Sequence, residues 1–366
     1  MKFKTRVEDF AVKLGLVQGI SERRATMPVL SHVLLGVAKN RIEISATDLE
    51  TTMSTWSTAE VLKEGSLAVP ARKLYEIVKE LEGGDIEVEE IGNHWIEIRA
   101  SSAVFKIAGL PSDDFPIIPE LHSDHLFSVE SSLLEEMISK TIFAVSPDEL
   151  RRNLAGIYFE EAGSKSLRLV STDGHRLSLV EKNIDSRVKF EKGFVVPKKG
   201  VAELRKVLKL TDKVRIGVGD SFFMAEGEDI VLIARLIDAD FPDYRQVTPE
   251  VTKATLTLKK GEFLSALKRV SILSSEKTRS VKFVIGKDGM TLISISPEVG
   301  EAKEKVQVEY SGDPMELGFN SRYLMDVLEV ISEEKVQMGL IDELSPAVLR
   351  PEGDEIYLSV IMPMRV

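Results

Sequence analysis

The feature that most constrains how this chain can fold is that it repeats itself at the spacing of whole domains. Residues 40–50 read as a strand running into a turn that ends Thr47-Asp48-Leu49-Glu50, and residues 165–175 repeat the pattern with Thr172-Asp173-Gly174-His175. A fainter third copy lies at 288–298. A second block follows the first in each unit: Gly65-Ser66-Leu67-Ala68-Val69-Pro70 leads into a helical pattern over 71–82. Gly193-Phe194-Val195-Val196-Pro197 leads into 198–210, and Met315-Glu316-Leu317-Gly318-Phe319-Asn320 into 321–333. A third block, Asp114-Phe115-Pro116, recurs as Asp240-Phe241-Pro242. Asp48 and Asp173 are 125 residues apart, and Asp114 and Asp240 are 126 apart. Solenoid repeats have periods of only ~20–50 residues. The repeating object is therefore a domain, and the 366 residues divide into three, at 1–121, 122–249 and 250–366.

Each unit opens on an amphipathic helix, around 7–20, 132–145 and 261–274. Strands follow in which apolar residues alternate, as at Ile42, Ile44 and Ala46, so that period two puts them on one face. The second helix of the first unit carries Leu74, Ile77, Val78 and Leu81 on one side. Gly92-Asn93 and Lys287-Asp288-Gly289 read as hairpin turns. The fold class predicted is α+β: three similar domains, each with two helices packed on antiparallel sheet.

Charge constrains function next. The chain carries a net charge of −11, so tight non-specific adhesion to phosphate is excluded and any role on a polyanion depends on where the cations sit. In the helix predicted over 198–210, Lys198, Lys199, Arg205, Lys206 and Lys209 share a face opposite Val201, Leu204, Val207 and Leu208, with Glu203 as the one acidic interruption. The corresponding helix of the first unit mixes Arg72, Lys73 and Lys79 with Glu76 and Glu80, and that of the third carries Asp326, Glu329 and Glu333 beside Arg322. Such a distribution suits weak, sequence-independent phosphate contact. No zinc-finger spacing or recognition-helix pattern is present.

Catalytic signatures are scarce. No phosphate-binding glycine loop or dinucleotide fingerprint occurs, and His32, His94, His122, His125 and His175 form no metal-spaced pair. An enzyme would have to use Asp173-Gly174-His175-Arg176, whose Asp and His form an acid/base candidate; the same residues read more simply as a turn. No cofactor or metal is expected. With no cysteine and no apolar run of membrane-spanning length, a cytoplasmic protein is expected.

Several segments carry a family resemblance. They are Leu169-Val170-Ser171-Thr172-Asp173-Gly174-His175-Arg176-Leu177, Asp240-Phe241-Pro242-Asp243-Tyr244-Arg245 and Val360-Ile361-Met362-Pro363-Met364-Arg365-Val366. Near the N-terminus, Arg24-Ala25-Thr26-Met27-Pro28-Val29-Leu30 and Thr47-Asp48-Leu49-Glu50 belong with them. Together, in this order and across the whole length, they resemble the bacterial sliding clamps, the beta subunits of DNA polymerase III. The resemblance implies a non-enzymatic head-to-tail homodimer whose six domains close around double-stranded DNA. It is loaded by a clamp-loader ATPase and holds the replicative polymerase and other replication and repair proteins by short peptides. It implies DNA-facing positions at Arg24, Arg72, Lys198 and Lys199, to which the cationic face adds Arg205. It implies a dimer contact of Phe105 and Ile107 with Ile272 and Leu273 of the other subunit. The peptide cleft between the second and third domains would comprise Leu154, Thr172, Gly174, His175, Arg176, Leu177, Pro242, Val247, Asn320, Tyr323, Val360, Met362, Pro363, Met364 and Arg365. Gln246, Thr278 and Arg152-Asn153 depart from residues common in relatives. A terminal strand simply packed into core is the plain alternative for Met362–Met364. A nucleic-acid enzyme using Asp173 and His175, and a trimeric clamp of the archaeal and eukaryotic type, are the rival functions.

Overall fold

The computed structural model describes residues 1–21, 27–119, 126–148, 150–188, 190, 192–219, 221–249, 251–354 and 356–365. One order of elements occurs three times. The first pass runs β1 (Lys2–Arg6), α1 (Val7–Val17), β2 (His32–Ala38), β3 (Arg41–Thr47), β4 (Thr51–Thr58), β5 (Glu60–Lys63), β6 (Gly65–Pro70), α2 (Ala71–Lys79), β7 (Asp85–Gly92), β8 (Trp95–Ala100) and β9 (Ala103–Ala108). The second runs β10 (Phe127–Glu130), α3 (Ser131–Ser139), β11 (Gly156–Gly163), β12 (Ser166–Thr172), β13 (Arg176–Asn183), β14 (Phe194–Pro197), α4 (Lys198–Leu208), β15 (Lys213–Val218), β16 (Phe222–Glu226) and β17 (Ile230–Arg235). The third runs β18 (Ala254–Lys259), α5 (Lys260–Val270), β19 (Ser280–Gly286), β20 (Gly289–Ser296), β21 (Gly300–Val306), β22 (Glu309–Ser311), β23 (Met315–Asn320), α6 (Ser321–Val330), β24 (Lys335–Leu340), β25 (Ala347–Pro351) and β26 (Tyr357–Ile361). Among its described residues the second pass lacks the short strand that β5 and β22 add to the others.

The helices begin where the sequence places them and stop earlier. The pattern over 71–82 ends as helix at Lys79, because the N–H groups of Glu80 and Leu81 turn back to the Ile77 and Val78 carbonyls in tighter i to i+3 bonds before Gly83-Gly84. The same tightening closes α4, where the N–H groups of Lys209 and Leu210 reach the Lys206 and Val207 carbonyls. After α3 the Thr141 hydroxyl donates to the Met137 and Ile138 carbonyls, replacing the next helical turn.

Two compact units carry these elements, and they are not the repeats. One comprises Met1–Ser132 with Lys199–Leu236, the other Leu133–Lys198 with Ile237–Val366. In the first, β10-β15-β16-β17-β4-β3-β2-β6 form one eight-stranded antiparallel sheet and β5-β1-β7-β8-β9 a second. The join between first and second repeats is the β4–β17 ladder, Thr51 opposite Ala234 through Thr55 opposite Ile230. Helix α1 buries Val7, Phe10, Leu14 and Val17 at i, i+3 and i+7 spacing. It runs so close to α2 that a Cβ on Gly15 would sit 3.3 Å from the Tyr75 ring. Side chains of this size contribute roughly 1.5–3 kcal/mol each when fully buried. The β7–β8 turn is Asn93-His94, both with positive φ (49° and 60°), as a two-residue primed hairpin requires.

In the other unit, β14-β11-β12-β13-β26-β25-β24-β18-β22 form a nine-stranded antiparallel sheet and β21-β20-β19-β23 a smaller one. Here β13 pairs with β26, Arg176 opposite Ile361 and Leu177 opposite Val360. The register stacks three rows on one face. Glu160, Arg168 and Glu181 form an ionic row, Tyr158, Val170, Leu179 and Leu358 an apolar row, and Thr172, Leu177 and Val360 a third. This third row is the floor on which the site is built.

Candidate functional site

The site begins with a four-residue turn between β12 and β13. The Asp173 carboxylate accepts the backbone N–H groups of His175 (2.9 Å) and Arg176 (3.0 Å) through Oδ1. The Thr172 hydroxyl accepts from Gly174 N–H (3.1 Å) and donates to the Arg176 carbonyl (2.6 Å). Gly174 takes φ +87°, which favours glycine, and a Cβ there would lie 3.1 Å from Arg151 Nη1. The first repeat builds the same turn from Thr47 and Asp48: Asp48 Oδ1 accepts Glu50 and Thr51 N–H, and Thr47 Oγ1 accepts Leu49 N–H.

Beyond this turn the last strand continues. Met362 N–H donates to the His175 carbonyl (2.9 Å) and Met364 N–H to Gly318 (2.8 Å). A third segment crosses above the sheet. Asp243 caps the single helical turn Tyr244–Val247 by accepting from Arg245 N–H, and Phe241 stacks on Tyr158 with ring centroids 4.7 Å apart. Together they enclose a cavity of about 320 Å³ lined by Asn153, Leu154, Thr172, Gly174, His175, Arg176, Leu177, Pro242, Asp243, Tyr244, Val247, Val360 and Met362. Leu177 and Val360 are its buried floor, while Met362 is 40% exposed, so Met362 is not core packing. Aliphatic walls with a flexible thioether and a few polar edges suit a short apolar segment.

Of the fifteen positions expected to form a cleft, ten line this cavity: Leu154, Thr172, Gly174, His175, Arg176, Leu177, Pro242, Val247, Val360 and Met362. Tyr323 stands behind it, its ring parallel to His175 at 6.5 Å, and burial with the nearby Asp173 charge raises its phenol pKa. Asn320 is occupied as the cap of α6, accepting from Arg322 N–H. Met364 bridges to Gly318, and Pro363 and Arg365 follow the strand outside the lining. Tyr244, Asp243 and Asn153 line the cavity and were not among the expected residues. The signal for Asp243 and Tyr244 was the repeated Asp-Phe-Pro block, whose copy at 240–242 opens the wall.

Arg176 lines the cavity and is also tied internally. Its Nε donates to Asp173 (3.0 Å), Nη1 to Asp326 (2.6 Å) and Nη2 to the Phe143 carbonyl (2.6 Å). The guanidinium also lies 4.5 Å from the Tyr323 ring centroid and 5.3 Å from that of Phe143. With Nε and both Nη atoms engaged internally, it braces the turn from behind. The same geometry withdraws Asp173 from the acid/base pair that an enzyme would need, because its two oxygens are taken by the turn and by Arg176.

The expected DNA-facing cations are placed unevenly. Arg24 lies outside the described residues. Arg72 is exposed and paired with Glu76 at 2.7 Å. Lys198 is exposed and Arg205 half-buried. Lys199 pairs with the buried Asp48 carboxylate, and Lys206 pairs with Glu203 at 2.6 Å. Glu203 is itself buried on the helix face, so the acidic interruption sits inside and draws on the stripe's charge.

For the dimer positions, β9 is the last strand of its sheet. Phe105 stands opposite buried Ile98, and Ile107 opposite buried Ile96, yet Phe105 remains 36% exposed. Ile272 is 76% exposed and Leu273 half-buried, on a short turn beside the edge strand β21.

Comparison with known proteins converges on one family. Models of the N-terminal, central and C-terminal domains of the DNA polymerase III beta subunit match residues 1–119, 128–243 and 245–365. The beta sliding clamp of Caulobacter vibrioides is 36% identical over 359 residues, covering 96% of each chain. Among solved structures, a Caulobacter crescentus beta sliding clamp with polyethylene glycol bound superposes with a TM-score of 0.94 at 36% identity, covering 100% of this chain and 99% of that one. A Pseudomonas aeruginosa sliding clamp bound to griselimycin gives 0.94 at 35% identity, covering 100% of both. Three consecutive domain matches, full-length relatives and the threefold order of elements agree, and the chain belongs to the DNA polymerase III beta subunit family, the beta sliding clamps.

Proposed function

We propose that the chain works as a DNA sliding clamp whose apolar cavity under the Asp173 turn captures short peptides of the replicative polymerase, the clamp-loader ATPase and other replication and repair proteins. It is a non-catalytic accessory subunit. The observation that supports the peptide assignment is the cavity itself. Its floor and Met362 are apolar, its rim carries His175 and Asp243, and its far wall is the capped turn Tyr244–Val247. Three domains, at 1–121, 122–249 and 250–366, place six in a head-to-tail homodimer. That dimer closes around duplex DNA by pairing β9 of one protomer with β21 of the other. The protein acts in the cell interior, on DNA, in the cytoplasm.

An acidic chain of net charge −11 holds DNA by topology rather than by affinity. Once loaded by an ATPase, it is therefore expected to remain on nicked circular DNA and to be lost within the same wash after the circle is linearised. Equal retention on the two forms, measured by gel filtration of labelled protein with DNA, would reject topological holding.

The cationic helix supplies the lining. Lys198→Gln, Lys199→Gln and Arg205→Gln together are expected to reduce the salt slope of DNA association by about 2, given ~0.9 per phosphate contact. The full ~2.7 is not expected, because Lys199 already compensates Asp48. A slope identical to that of the unsubstituted chain, read from retention across a sodium chloride series, would remove α4 from the DNA surface.

A further inference from the structure

The wall of the cavity formed by Pro242–Val247 is not part of any sheet. It is a single helical turn followed by loop, and the bonds at its two ends, Gln246 N–H to Asp243 and Thr248 N–H to Arg245, are both 3.3 Å. Segments of this kind open readily unless side chains secure them. Here the securing groups lie outside the cavity, in the ionic row of the nine-stranded sheet.

Arg168 occupies the centre of that row. Its Nε and Nη2 donate to Glu181 (3.0 and 2.6 Å), and its Nη1 donates to Glu160 (2.8 Å) and to the Tyr244 hydroxyl (2.8 Å). The Tyr244 hydroxyl in turn donates to Glu160. Arg245 reaches both Glu160 oxygens at 3.3 Å. The ring of Tyr244 crosses the apolar row, packed with Val170, Leu177, Leu179 and Val360, and lines the cavity. One side chain thus spans from the ionic row to the peptide wall. Burial and the Glu160 carboxylate push its phenol up to about 12, so the hydroxyl stays a donor at any physiological pH.

We infer that the row Glu160, Arg168 and Glu181 positions the 242–247 wall through the Tyr244 hydroxyl, and so sets the affinity of a cleft that none of the three lines. This rests on the peptide reading of the cavity. The three residues are partners in register on β11, β12 and β13, so the wall is tied to the same strand that carries the Thr172–Arg176 turn. Both sides of the cavity share one reference.

Two observables separate this from a purely structural role: griselimycin binding by calorimetry, and amide exchange of residues 241–248 in the free full-length chain. Tyr244→Phe keeps the ring and removes the hydroxyl. It is expected to raise exchange in 241–248 alone and to weaken griselimycin about tenfold. Arg168→Met is expected to do the same, and the double variant to be no weaker than the worse single one, because both remove one link. Should Arg168→Met unfold, Tyr244→Phe and Glu160→Gln still decide the matter. Unchanged exchange and affinity in Tyr244→Phe, or fully additive losses, would overturn the inference, as would exchange rising throughout the sheet. Met362→Ala tests the cleft itself and is expected to weaken binding without altering exchange at 241–248. Failure of griselimycin to bind the unsubstituted chain would overturn the cleft reading, and this inference with it.

Discussion

Arg176→Met is expected to destabilise the Leu133–Lys198/Ile237–Val366 unit by about 3 kcal/mol and to abolish binding in the cavity beside it. Removing one member of a buried ion-paired set typically costs ~3–5 kcal/mol, because the remaining charges keep their desolvation without their partner. The lower end applies because both carboxylates left behind keep other donors. Asp173 retains the His175 and Arg176 backbone N–H groups, and Asp326 retains Arg322 at 2.8 Å. For a unit of this size that corresponds to a fall of roughly 6–12 °C in its unfolding midpoint. Binding goes further than stability, since residues 174–177 form one side of the cavity and lose their brace. Arg176→Lys is not expected to rescue either property, because an ammonium cannot present the planar fork that reaches Asp173, Asp326 and the Phe143 carbonyl together. Calorimetric melting with a parallel griselimycin titration checks both. A variant that melts like the parent while losing griselimycin would return Arg176 to the role of a direct contact.

Ile272→Asp with Leu273→Asp is expected to convert the dimer to monomers. Sedimentation should then report the chain mass of 40.7 kDa instead of twice that value. The two edges concerned are β9 and β21, each with unpaired backbone groups on one side. Phe105 at 36% and Ile272 at 76% leave large apolar side chains open to solvent at these edges. Burying such side chains contributes roughly 1.5–3 kcal/mol each. Two carboxylates in their place reverse the sign, because their charge must be desolvated against an apolar strand. A dimer that survives the change at micromolar concentration would place the contact elsewhere.

The sequence revealed the repeat, the starts of the second helices and three of the segments that line the cavity, since each rests on local chemistry. Pro70, Pro197 and Asn320 mark helix starts, and Asp-Gly marks a turn. Helix ends were less legible, because i to i+3 closure leaves the apolar spacing intact for several residues. Partners far apart in the chain could not be read. The brace on Arg176 joins residues 150 positions apart, and the ties of Tyr244 reach back 76 and 84. The same holds for the charge of α4. Lys199 looks unpaired in sequence because Asp48 lies 151 residues away.

The ladder between β4 and β17 has a consequence for anyone cutting this protein into pieces. A fragment ending at the first repeat would leave Thr51–Thr55 with a bare row of amides and carbonyls where Ile230–Ala234 belongs, an invitation to pair with a second fragment. The repeats and the compact units do not coincide, because residues 199–236 of the second repeat belong to the first unit. A cut at 121 breaks the β4–β17 ladder, and a cut at 236 or 237 breaks the β13–β26 ladder instead.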